Sequence, residues 1–84
     1  MIGKEAFRSC YNLVEIDLSQ CTALKKIGAD AFYFCNKLKK IDLSKCNELL
    51  EIENNTFYCC NRLEEVTLPD SVTRIGFDAF RECI

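Results

Sequence analysis

The sequence predicts a repeat solenoid of about three and a half units, each pairing a half-buried β-strand with a short helical or 3₁₀ turn. Three observations predict it. One motif recurs, as "IGKEAFRSCYNL" at 2–13, "IGADAFYFCNKL" at 27–38, "IENNTFYCCNRL" at 52–63 and "IGFDAFREC" at 75–83. Its spacing is regular, since Ile2 to Ile27 and Ile27 to Ile52 are both 25 residues and Ile52 to Ile75 is 23. Within a unit, "LKKIDLS" alternates apolar Leu38, Ile41 and Leu43 with polar Lys40, Asp42 and Ser44, the period-2 signature of a half-buried strand. A unit of this size cannot bury its apolar face alone and must stack on its neighbours. One domain therefore spans 1–84, divided into units 2–26, 27–51, 52–74 and a partial unit 75–84.

Aligned units form columns, and the columns are the expected core: Ile2/Ile27/Ile52/Ile75, Phe7/Phe32/Phe57/Phe80, Cys10/Cys35/Cys60/Cys83, Leu13/Leu38/Leu63, Ile16/Ile41/Val66 and Leu18/Leu43/Leu68. Each unit opens on its ladder isoleucine. Gly3, Gly28 and Gly76 follow it, and a backbone conformation hostile to a side chain is expected there. Glu53 breaks that rule, so a different turn is expected in the third unit. Next, Glu5, Asp30, Asn55 and Asp78 share a column where a side-chain oxygen can accept from free amides at the start of a helix. The steps of four and three between Ala31, Cys35 and Leu38 then predict a short helix or a 3₁₀ turn. Strands follow near 13–19, 38–44 and 63–68. Cys21 and Cys46 with Leu24 and Leu49 close the first two units, and the third shortens to "LPDSVTRIG", with Pro69 and Val72.

Composition excludes several classes of function. With 11 basic and 13 acidic residues, the net charge of −2 gives no electrostatic footprint for nucleic acid. The stretch after Met1 lacks a basic region followed by an apolar one, so no signal peptide is expected. No apolar run approaches spanning length, and membrane insertion is not expected. Histidine is absent, Ser19 and Ser44 have no partner base, and no glycine-rich phosphate loop occurs. Neither an enzyme nor a cofactor is expected. The seven cysteines lack the paired knuckles of a zinc site. Cys10, Cys35, Cys60 and Cys83 should turn inward as small buried hydrophobes, parallel in one column and therefore poorly placed for a disulfide. Cys59, which replaces Ser9 and Phe34, is expected to be the most exposed thiol.

Charge is arranged by column too. Glu15, Lys40 and Glu65 alternate in sign along the strands, as do Lys26, Glu51 and Arg74 before the ladder isoleucines, and opposite charges on adjacent strands help to fix register. Asp17 and Asp42 should be exposed neighbours, either screened by water with Lys40 or Lys45 close by, or available to a cation or a basic partner. Tyr33 and Tyr58 share a column on the turn side, as an aromatic patch or as cover for the ladder.

The stretch "LVEIDLSQCTAL" at 13–24 matches the leucine-rich repeat consensus, with Cys21 and Cys46 at its Asn/Cys position. Together with the "IGxxAFxxCxxL" element and "LPDSVTRIGFDAFREC", it resembles the BspA-like type of leucine-rich repeat over the whole chain. Glu53, Thr56 and Ser71 depart from that pattern. The resemblance implies a leucine-rich repeat solenoid, curved, with a short parallel β-sheet on its concave face and the turns opposite, as found in surface or secreted proteins with adhesion or protein binding as the role. Two functions then stand side by side. In one, the outward strand residues Glu15, Asp17, Ser19, Lys40, Asp42, Ser44, Glu65 and Thr67 form a concave face for a protein or a glycan. In the other, the array is a structural spacer or a self-assembling segment. Neither end shows a polar cap, so self-association through the ends is expected, with a closed two-fold homodimer as the commoner outcome.

Overall fold

The computed structural model describes residues 1–83, and in it the chain passes the same three stations once per repeat. At the first station, β1 (Lys26–Ile27), β3 (Glu51–Ile52) and β5 (Arg74–Ile75) pair in parallel in that order, and Ile2 bridges to Ile27. At the third, β2 (Lys40–Asp42) pairs in parallel with β4 (Glu65–Thr67), and Glu15 bridges to Lys40. Between them lies a turn that stacks layer on layer. This is a leucine-rich repeat fold built on parallel strands. Ile84, the last residue of the partial fourth unit, lies outside the described residues.

The turn is where the structure corrects the sequence reading, because no helix, α or 3₁₀, occurs among the described residues. Alternate amides point in different directions. Those of Ala6, Arg8 and Cys10 bond within the turn to the carbonyls of Gly3, Glu5 and Phe7. Those of Glu5, Phe7 and Ser9 bond across to Ala29, Ala31 and Tyr33 of the next layer, at 3.0, 2.7 and 2.7 Å. A helix would claim every amide for itself, whereas here half of them hold the stack together. The alternation is set by left-handed residues, with φ near +60° at Glu5 and Ser9, Asp30 and Phe34, Asn55 and Cys59, and Asp78 and Glu82. So the column of Glu5, Asp30, Asn55 and Asp78 does not cap a helix. Its Asp and Asn members are the side chains that tolerate that conformation best.

The glycines also differ from expectation, since none has a positive φ. Their constraint is space. A Cβ on Gly28 would sit 2.6 Å from the Lys4 amide nitrogen and 2.8 Å from the Gly3 carbonyl carbon, and one on Gly76 would sit 2.6 Å from the Asn54 nitrogen. In the third layer, Glu53 keeps the inter-layer bond to the Ile27 carbonyl and swings its carboxylate to Lys26, at 3.1 Å. Thr56 is fully buried there, and its hydroxyl donates to the Glu53 carbonyl at 2.7 Å. The third turn nevertheless keeps the backbone of the others, with left-handed Asn55 and Cys59 and the same bonds to the next layer, so the different turn expected from Glu53 does not form and only the side chains differ.

Packing follows the columns in the inner layers. Ile27, Ile52, Phe32, Phe57, Leu38 and Ile41 are fully buried, while Ile75 and Val66, in the same columns, remain 50% and 40% exposed. The phenylalanine rings stack face to face at 5.1, 5.2 and 5.2 Å along Phe7, Phe32, Phe57 and Phe80. Beside them, the thiols of Cys35, Cys60 and Cys83 donate to the carbonyls of Phe7, Phe32 and Phe57 at 3.0 to 3.1 Å. Each of these three thiols thus ties its own layer to the backbone of the layer before it.

Cys35, Cys46 and Cys60 are buried, and Cys10, Cys21, Cys59 and Cys83 are half-buried, so Cys59 does not stand out. Burial pushes the Cys35 thiol up to about 11, and the Cys83 thiol beside Cys60, followed by burial, raises Cys60. Because the thiolate is the reactive form, Cys35, Cys46 and Cys60 are expected to react with a thiol reagent only when denaturant opens the fold. Mass-resolved labelling checks this. Rapid modification of Cys35 in native buffer would show that the column is not closed.

Candidate functional site

The β2/β4 ladder carries the surface on which the sequence places its candidate residues. Ile41 is fully buried between exposed Lys40 and Asp42, so the strand holds its two polar neighbours outward on a fixed backbone. Register then sets the rows. Glu15 lies beside Lys40 and Lys40 beside Glu65, while Asp42 lies beside Thr67. Although the signs alternate, Glu15, Lys40 and Glu65 make no ion pair among the described residues. Long exposed side chains gain little from such pairing and stay solvated. The second alternating column does better, with Arg74 3.3 Å from Glu51, while Lys26 turns to Glu53 instead.

Just past the strands, a repeated Asp-Leu-Ser turn fixes two carboxylates. Oδ1 of Asp17 accepts from the Ser19 amide and Oδ1 of Asp42 from the Ser44 amide, both at 2.9 Å. The serine side chain and amide hold each carboxyl below its ordinary value, and Lys40 and Lys45 add to the effect at Asp42. Both aspartates remain ionised and face solvent.

Glu15, Asp17, Ser19, Lys40 and Asp42 line one open hollow of about 410 Å³, joined by Ile16, Leu18 and Lys45. Ser44 lies in a neighbouring hollow with Asn47, Leu68, Pro69, Asp70 and Ser71. Glu65 and Thr67 stand exposed on β4. Lys45 escaped the strand-alternation argument because it follows the strand, though its place after "DLS" marks it as facing Asp42. Among the described residues, no group of His, Cys, Asp or Glu could hold a metal ion, and no helix is long and apolar enough to cross a membrane. The mixed charge, shallow shape and fixed backbone suit recognition of a polar surface.

On the turn side, Tyr33 and Tyr58 stack at 5.1 Å, nearly parallel, and the Arg8 guanidinium sits 4.4 Å from the centre of the Tyr33 ring. Phe34 meets Tyr33 edge-on at 4.9 Å. The Arg8 position was legible, since Arg8, Tyr33, Tyr58 and Arg81 share one column. Arg8 thus covers one face of half-buried Tyr33 and Tyr58 the other, while Phe34 beside them stays exposed.

Comparison with known proteins bears on both faces. The family described as the BspA type leucine rich repeat region matches residues 1–84, in six copies. Among solved structures, the chain is similar to the leucine rich repeat protein TpLRR of T. pallidum, with 27% identity and a TM-score of 0.58 over 98% of this chain and 47% of that one. It is also similar to a leucine-rich repeat protein from Bacteroides ovatus, at 28% identity and a TM-score of 0.45, over 83% of this chain and 22% of that one. A third is a leucine rich cell surface protein from Faecalibacterium prausnitzii, at 24% identity and a TM-score of 0.41, over 98% and 40%. The chain thus spans about half the length of the T. pallidum structure. The comparison with curated proteins returns no match.

Proposed function

Because the chain belongs to the BspA-type leucine-rich repeat family, we propose that it is a non-enzymatic protein-binding module that recognises its partner through the β2/β4 face. The observation that carries this reading is the buried Ile41 between exposed Lys40 and Asp42, in register with Glu15 and Glu65. A rigid ladder presenting ionised groups in fixed rows gives specificity at little ordering cost. The face would form the concave side of a curved solenoid, and the partner would be a protein or a glycan. Adhesion and a place at the cell surface belong to this proposal, and the family resemblance supports them.

Charge reversal tests it. Lys40→Glu together with Asp42→Lys is expected to abolish capture of any partner that the parent chain retains from a cell extract or a glycan array, with the circular dichroism spectrum of the fold retained and a modest fall in melting temperature, since three glutamates then adjoin and the Ser44 amide loses its acceptor. Lys37→Glu, at an exposed site on the turn side, should leave capture intact. Equal loss in both variants would move recognition off the β2/β4 face.

A further inference from the structure

The charges on the β2/β4 face are sorted by layer. The first layer presents the carboxylates of Glu15 and Asp17, followed by neutral Gln20. In the second, Lys40 and Lys45 outnumber Asp42, and the third returns to carboxylates with Glu65 and Asp70. All seven charged side chains are exposed, and among the described residues none of them makes an ion pair. An acidic stripe, a basic stripe and a second acidic stripe therefore cross the face. Repeats before or after would flank these stripes without covering them, because an outward position on a strand face lies beside the stack.

Spacing selects the backbone of the partner. Successive layers are about 5 Å apart, as the phenylalanine ladder measures at 5.1 and 5.2 Å, so two steps separate the acidic stripes by about 10 Å with the basic stripe midway. In an α-helix, residues i, i+3 or i+4, and i+7 share one face and climb about 4.5 to 6 Å and then about 10.5 Å along the axis. That matches both intervals. In an extended chain the same-face residues i, i+2 and i+4 lie about 6.7 and 13 Å along, so the third charge overshoots its stripe by about 3 Å.

We propose that the β2/β4 face receives an α-helix of a partner protein, laid along the stack, with Lys or Arg at i, Asp or Glu at i+3 or i+4, and Lys or Arg at i+7. The two cations meet the Glu15/Asp17 and Glu65/Asp70 stripes, and the acid between them meets Lys40 and Lys45. This inference rests on the β2/β4 face being the recognition surface, and it selects a protein over an anionic glycan, which would find only the middle stripe.

Two alanine-rich helical peptides of equal composition and charge test it, by fluorescence anisotropy against the intact chain. One carries Lys, Glu and Lys at i, i+4 and i+7; in the other the Glu moves to i+2, on the opposite side of the helix. The first should bind about tenfold more tightly at low salt, and the difference should vanish at about 1 M salt. Glu15→Lys, Lys40→Glu and Glu65→Lys combined keep opposite charges on adjacent strands while erasing the stripes. This triple variant should lose that preference and instead favour a peptide with Glu, Lys and Glu at i, i+4 and i+7. Equal binding of the first two peptides by the parent, or binding of neither, would overturn the helix, and the recognition face would still stand if capture depended on Lys40 and Asp42. A triple variant that kept the parent's preference would overturn it as well.

Discussion

Phe32→Ala is expected to lower the stability of the fold by about 3 to 5 kcal/mol. The Phe32 ring is fully buried and lies between Phe7 and Phe57, at 5.1 and 5.2 Å, so truncation removes two stacked contacts and leaves a cavity that both neighbours line. The surrounding turns cannot collapse into it. Their backbones are tied across the gap by the Phe7 amide on the Ala31 carbonyl and the Phe32 amide on the Thr56 carbonyl. Domains of this size have only about 5 to 15 kcal/mol to lose, so the variant should be largely unfolded well below the parent's melting temperature. Urea or thermal denaturation followed by circular dichroism measures it. Phe80→Ala, in the partly exposed end layer, should cost less, and equal losses at the two sites would contradict the burial gradient along the ladder.

Gly28→Ala is the second large effect. The added methyl would lie 2.6 Å from the Lys4 nitrogen, 2.8 Å from the Gly3 carbonyl carbon and 3.0 Å from the Lys4 Cα, all of them backbone atoms that no rotamer change can move. Relief requires the first two layers to part, which strains the bonds from Gly28 to Ile2 and from Glu5 to Ala29. Overpacking of this kind costs about 1 to 3 kcal/mol or more. In a domain of this size that lowers the melting temperature by about 4 to 8 °C for each kcal/mol. The same change at Gly3 meets open space. A melting temperature for Gly28→Ala within a degree or two of that for Gly3→Ala would refute the account of this column as one of close approach.

Much of the fold was legible because buried columns constrain residue type strongly. Ile27, Phe32, Cys35, Leu38, Ile41 and Leu43 are all fully buried, and each stands at a position that the repeat keeps apolar. The misreading of the turn has a specific cause. Steps of four and three from Ala31 to Cys35 to Leu38 mimic one face of a helix, and Asp30 looks like its cap. Yet Asp30 and Phe34 both take left-handed φ, and a phenylalanine in that conformation carries no sequence signal at all. The two-residue strands β1, β3 and β5 were invisible for a simpler reason: a strand of two residues has no period to detect. At the β2/β4 face, alternation revealed which residues point outward. Pairing was less legible, as the β1/β3/β5 ladder shows, where the choice of Glu53 over Glu51 by Lys26 depends on side-chain reach and not on register.

The alternating amides of the turn have a mechanical consequence. In a helix the hydrogen bonds run along the segment, so tension on the chain must break the segment itself. Here alternate amides of the first three turns run between layers. Force applied at the two ends of the stack passes through every layer, but an end layer is held from one side only and its rungs are loaded one after another, so the outer layers release before the inner ones. Coupling only to nearest neighbours makes each release a separate event. A protein built this way lengthens in steps under load and can re-form each step when the load falls, as a tether does.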